Sequence, residues 1–137
     1  MNAITMLITE HENLQAFLDR IDQACRQREE HALGVALADA RGALGPELDR
    51  HILLEDANVF PRIARHLSPD MLQAFSDDHV AIQATRDRLY APFNGPRRPL
   101  AETLLDLLRN HLAKEENMLF PAAQELMTPE ELEWEPE

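Results

Sequence analysis

His51-Ile-Leu-Leu-Glu55-Asp56-Ala-Asn-Val-Phe60-Pro61 is echoed later in the chain by His111-Leu-Ala-Lys-Glu115-Glu116-Asn-Met-Leu-Phe120-Pro121. Both stretches read H-(I/L)-x-x-E-(D/E)-x-x-(V/L)-F-P. On an α-helix, residues four apart lie on one face about one turn apart, so each copy aims an imidazole and a carboxylate at one point. Two such copies, facing each other, make a place for a metal ion or a pair of ions.

Around the repeat the apolar residues keep helical spacing, and breakers divide the chain into four. The first helix is expected from about Ala3 to Arg28, with Ile4, Leu7, Ile8, His11, Leu14, Leu18, Ile21 and Cys25 on its inner stripe. The second is expected from about Gly34 to Arg65, with Leu37, Leu44, Leu48, His51, Ile52, Glu55 and Val59 inward and a kink at Gly45-Pro46. Ser68-Pro69-Asp70 signals a helix start, and the third helix runs to about Tyr90 with Leu72, Phe75, His79, Ile82 and Leu89 in register. Pro92, Gly95, Pro96 and Pro99 mark a loop. The fourth helix runs from about Leu100 to Met127, with Leu104, Leu107, Leu108, His111, Glu115, Met118 and Ala122 inward. Four long helices with short connections predict an all-α, antiparallel up-down-up-down bundle over residues 1–127. Thr128-Pro-Glu-Glu131 reads as a capping box opening a short acidic tail, 128–137, that contains Trp134.

The 137 residues suffice for one core, and 45% hydrophobic with 28% charged residues is a globular composition. A net charge of −12 disfavours nucleic acid and anionic membranes as partners. The lone Cys25 can form no internal disulfide. The N-terminus lacks the basic region of a signal peptide, and no apolar run reaches the roughly 20 residues that span a bilayer. The expected location is the cytoplasm.

Of 6 histidines, four fall on the apolar stripes, one per helix: His11, His51, His79 and His111. A single histidine on such a face is ordinarily a satisfied core residue. Four together strain that account, because each imidazole buried without a partner costs on the order of 1–3 kcal/mol. Buried Glu55 and Glu115 cost more unless a cation compensates them. In an up-down bundle all six side chains fall near the same end. Mixed imidazole and carboxylate donors suit iron, manganese or zinc better than calcium or magnesium. Six residues exceed one tetrahedral ion and leave two octahedral ions with open positions for an oxo or hydroxo bridge and an exogenous molecule. Two iron ions are the best match, with zinc or manganese behind.

Glu10-His11-Glu-Asn-Leu14, Asp78-His79-Val-Ala-Ile82 and the two segments ending in Phe-Pro resemble the hemerythrin-like, HHE cation-binding family from about Ile4 to Leu126. The resemblance implies a four-helix bundle around a non-haem di-iron centre, with His11, His51, Glu55, His79, His111 and Glu115 as ligands. Two positions depart from the family's oxygen carriers. Phe75 and Gln83 stand one turn from His79, where the carriers place a second histidine. Glu116 stands where they use a bridging aspartate, and Glu115 is the better candidate because a five-residue step swings a side chain about 140° away from His111. The reduced histidine count argues against simple oxygen carriage. It leaves sensing, storage or redox handling of dioxygen, nitric oxide or peroxide. A di-iron oxidase or peroxidase is the alternative, and a metal-free helical interaction module is a third reading.

His31 and His66 read as non-ligands. Glu10, Asp56, Asp78 and Glu116 adjoin ligands in sequence and are expected mostly on solvated faces, with ligand imidazoles as a secondary destination. Phe60 and Phe120 are expected to pack beneath the metals, and Pro61 and Pro121 to bend or end their helices. Tyr90 and Cys25 read as structural.

Overall fold

The computed structural model describes residues 2–133. Its first helix, α1 (Ala3–Gln27), opens on Asn2, whose side chain accepts from the N–H groups of Ile4 (2.9 Å) and Thr5 (3.1 Å). It ends where Arg28 turns left-handed at φ 55° and its N–H bonds Cys25 O. The second rod is composite: α2 (Glu30–Asp39), a π-helical segment (Ala43–Glu47), α3 (Leu48–Leu54), a second π segment (Glu55–Val59) and α4 (Phe60–Ile63). It begins before Gly34, since buried Leu33 and Leu37 anchor the turns on either side of that glycine. Ser68 caps α5 (Pro69–Tyr90) by accepting from the Met71 N–H. The fourth rod joins α6 (Arg98–Lys114), a third π segment (Glu115–Leu119) and α7 (Phe120–Leu126). The capping box between Thr128 and Glu131 then opens α8 (Pro129–Leu132). Trp134 lies outside the described residues. No strand occurs among those described, only an isolated bridge between Asn2 and Glu133.

Of the two outcomes expected for Pro61 and Pro121, the structure excludes the ending of their helices. A proline in a helix removes one N–H and crowds the carbonyl four residues back. Before Pro61 and Pro121 the helix widens to π geometry, with the Phe60 N–H bonding Glu55 O and the Phe120 N–H bonding Glu115 O, and then continues as α4 and α7. Neither proline ends its rod. Pro46 is likewise absorbed inside a π segment, although a turn at Ala40 separates that segment from α2. Buried Arg86 donates to Leu44 O (3.1 Å) beside this irregular stretch and pairs with Asp49 (2.5 Å).

A π turn carries one extra residue and so advances the register of the helix beyond it by one position. Past Glu115 the inward residues are Leu119 and Ala123, where unbroken α spacing predicts Met118 and Ala122. Met118 is 45% exposed.

Contacts between rods keep a consistent order. Along α5 the partners of Tyr90, Arg86, Gln83 and His79 on the second rod are Leu37, Leu44, Asp49 and Asp56, rising as the α5 number falls. On α1, Asp19 and Asp22 meet Arg109, while His11 meets Glu116. The apolar core has two parts. One gathers Leu14, Leu18, Ile52, Ile82, Leu108 and Leu112; the other gathers Leu7, Val59, Phe60, Phe75, Leu119 and Phe120. Each rod passes from one to the other through a buried polar residue, so a polar layer is sandwiched between two apolar ones.

Candidate metal centre

His11, His51, Glu55, His79, His111 and Glu115 form that layer, and all six are buried. The two carboxylates are 0% exposed. One set of donor atoms within 4.8 Å of one another comes from Glu55, His79, His111 and Glu115, and a second comes from His11, His51 and Glu115. His11 and His51 bring their Nε2 atoms within 3.2 Å, and His79 and His111 bring theirs within 3.1 Å. Glu115 spans both sets, with Oε1 at 3.1 Å from His11 Nε2 and Oε2 at 3.4 Å from His111 Nε2. Glu55 Oε1 lies 3.1 Å from His79 Nε2 and 3.5 Å from His51 Nε2. His31 and His66 are exposed and outside the cluster.

The outer edges of the rings are occupied by carboxylates. Glu10 accepts from His51 Nδ1 (2.7 Å), Asp56 from His79 Nδ1 (2.9 Å), Asp78 from His111 Nδ1 (3.0 Å) and Glu116 from His11 Nδ1 (3.1 Å). The expectation of solvated faces is therefore corrected: all four are partly exposed yet hold an imidazole. Each reaches the ring of a neighbouring rod, so the bonds run from the first rod to the second, third and fourth and back to the first. The sequence signal was an acid beside one candidate ligand on each rod; its target was hidden because it lies on another helix.

These bonds fix the orientation of the rings. A carboxylate accepts, so each Nδ1 carries a hydrogen and each ring turns its Nε2 inward. Glu55 Oε2 and both oxygens of Glu115 have no hydrogen bond, the 3.1 Å approach to His11 being too oblique for one. The interior thus crowds four imidazoles against two carboxylates of which only Glu55 Oε1 has a partner, His79 Nε2 at 3.1 Å.

The pKa shifts express the same conflict. Burial and neighbouring His51 lower His11, and burial lowers His111 further than Asp78 and Glu55 raise it. Burial also opposes charge on His51 and His79, but Glu55 and the outer acids outweigh it and raise both. Glu55 is lowered despite its burial, chiefly by His51 and His79. On Asp78, Lys114 and His111 outweigh burial and lower the carboxyl.

Aromatic rings wall one side. Phe60 stacks on His79 at 5.6 Å, Phe75 meets His111 edge-on at 5.7 Å, and Phe120 lies 5.0 Å from His11. A cleft of about 180 Å³ between α1 and Ala43–Glu47, lined partly by Asn13, Leu14 and Glu47, reaches the Glu10–His51 pair.

Buried imidazoles and carboxylates converging inside an all-helical core define a protein of the cation-binding class, a donor set suited to transition metals. Residues 2–123 match the family model of the Hemerythrin HHE cation binding domain, and the chain belongs to that family. No curated protein matches the chain, and no solved structure does. No described helix is long and apolar enough to cross a membrane.

Proposed function

We propose that the chain is a hemerythrin-like protein holding a non-haem di-iron centre that meets dioxygen, nitric oxide or peroxide in sensing, storage or redox handling. The observation that carries this reading is the crowd of inward polar atoms: four Nε2 atoms around two fully buried carboxylates with three unpartnered oxygens. One cation could not satisfy both donor sets, whereas two ions, with Glu115 reaching both sets, would neutralise the layer and remove its desolvation cost. His79, His111, Glu55 and Glu115 would hold one ion, and His11, His51 and Glu115 the other. Iron bound there would supply affinity for diatomic ligands and one-electron chemistry.

The chain's own groups do the rest. The outer acids orient the rings, and the phenylalanine wall excludes water. The order of contacts between rods supports an up-down-up-down four-helix bundle in which all six ligands come to one level. The His11–His51 set would hold its ion with one residue fewer than the other set, so an exogenous molecule would be received beside His11 and His51.

An oxidase or peroxidase is the second reading, favoured by the cleft that reaches Glu10 and His51. Iron analysis of protein made without a histidine tag, with an optical spectrum in air, tests the first proposal. Two irons per chain and ligand-to-iron charge-transfer absorption are expected. A protein that takes up no iron when iron is supplied ends it. Turnover of peroxide with an electron donor would select the enzyme.

A further inference from the structure

The four outer carboxylates are not equivalent. Among the described residues, Glu10, Asp56 and Glu116 each hold their imidazole without a lysine or arginine partner. Asp78 carries a cation: Lys114 Nζ lies 2.5 Å from Asp78 Oδ2, the same oxygen that accepts from His111 Nδ1. Lys114 also sits over the Phe75 ring, 5.8 Å from its centroid, and Phe75 meets the edge of His111. Its side chain is 43% exposed and that of Asp78 is 27% exposed, so the pair is reachable from solvent while the ring it controls is buried.

An anionic acceptor behind an imidazole draws on the Nδ1 hydrogen, makes the ring more basic at Nε2, and strengthens its bond to a metal. A cation on the same acceptor oxygen withdraws that charge. We propose that Lys114 is a positioning and tuning residue that acts through Asp78 to weaken His111 as a donor, making the His79–His111 position of the centre electronically distinct from its counterpart. The proposal rests on the metal-binding reading above. It assigns Lys114 a role that the repeat could not show, because Leu54 occupies the matching position in the first copy.

The test uses the full chain, with zinc as a redox-inert probe, in Asp78→Asn, Lys114→Met, Lys114→Arg and the double variant. Asp78→Asn is expected to weaken the affected zinc position about 10-fold to 100-fold, the usual loss when an imidazole's outer partner is removed. Lys114→Met should shift it the other way, to tighter binding, and Lys114→Arg should retain the wild-type value. In the Asp78→Asn background Lys114→Met should change nothing further. Equal effects of Lys114→Met in both backgrounds, or weakening by Lys114→Met alone, would overturn the proposal.

Nitrogen NMR of metal-free protein labelled at histidine supplies an independent readout. Lys114→Met should move the His111 Nδ1–H proton downfield and leave those of His11 and His51 in place; an unmoved His111 signal also overturns the proposal. A wild-type chain that binds no zinc or iron would sink the metal reading, and the NMR comparison would still decide what Lys114 does to His111.

Discussion

Glu115 is the side chain shared by both donor sets, while His11 belongs to one. Their replacements should therefore differ in kind. If the centre holds two irons as proposed, Glu115→Ala is expected to abolish binding of both and His11→Ala to leave one, as read by iron per chain; equal loss in both variants would refute the shared role. Tyr90 offers a residue-scale check away from the centre. Its hydroxyl donates to Leu37 O at 2.7 Å, and burial, only partly offset by Arg41 and Arg86, raises its pKa to about 12. The folded value exceeds the ordinary value of about 10, so this contribution to stability is complete below pH ~10 and lost as pH rises through the folded pKa. Ultraviolet titration of this single tyrosine should give a midpoint near 12, and a midpoint near the ordinary value would contradict the packing. The six inward residues were legible because their spacing alone puts them on apolar stripes. The destinations of Glu10, Asp56, Asp78 and Glu116 were not, since one residue's step around a helix says which way a side chain leaves and nothing about what stands opposite.

At the level of the elements, the two π turns at Glu55–Val59 and Glu115–Leu119 make room for the Phe-Pro pairs. Periodicity located all four rods and their caps at Ser68 and Thr128, but it missed the widened turns, because an inserted residue leaves no mark in an apolar pattern except a slip of one position downstream. Met118 and Ala122 are that slip. Deleting Asn58 should tighten its turn to α geometry and leave Val59, Phe60 and Ile63 facing the core, because they then stand three, four and seven residues after Glu55, while the Pro61 ring is forced against the carbonyl four residues back. The expected cost is about 3 kcal/mol, that of a proline inside an α-helix. Asn58→Ala should be tolerated, since the buried Asn58 Oδ1 makes no hydrogen bond. Thermal melts of the two variants decide; a deletion as benign as the substitution would show that the wide turn does not relieve the proline.

For the whole molecule, a metal held as proposed would compete with protons for the same inward nitrogens. Without metal, His51 and His79 are raised, so their contribution is present below the ordinary histidine value of 6.5 and lost as pH rises through the folded pKa. His11 and His111 are lowered and act in the opposite sense, costing stability as pH falls below 6.5. These contributions oppose each other, which leaves metal–proton competition to govern the difference in melting temperature between loaded and metal-free protein. That difference should be widest above about pH 7 and shrink as acid protonates the imidazoles, falling with metal release; a pH-independent difference would place the metal elsewhere. The circuit of outer acids has a geometric corollary. In the first and third rods the acid precedes its ligand, as Glu10 precedes His11 and Asp78 precedes His79; in the second and fourth it comes after, as Asp56 does for Glu55 and Glu116 for Glu115. Reversing a helix reverses the sense in which its residues wind, so in the proposed up-down bundle a predecessor on a rising rod and a successor on a falling one lean the same way. The chirality of the assembly is thereby encoded in word order: its mirror-image circuit would turn every acid away from the ring it must hold.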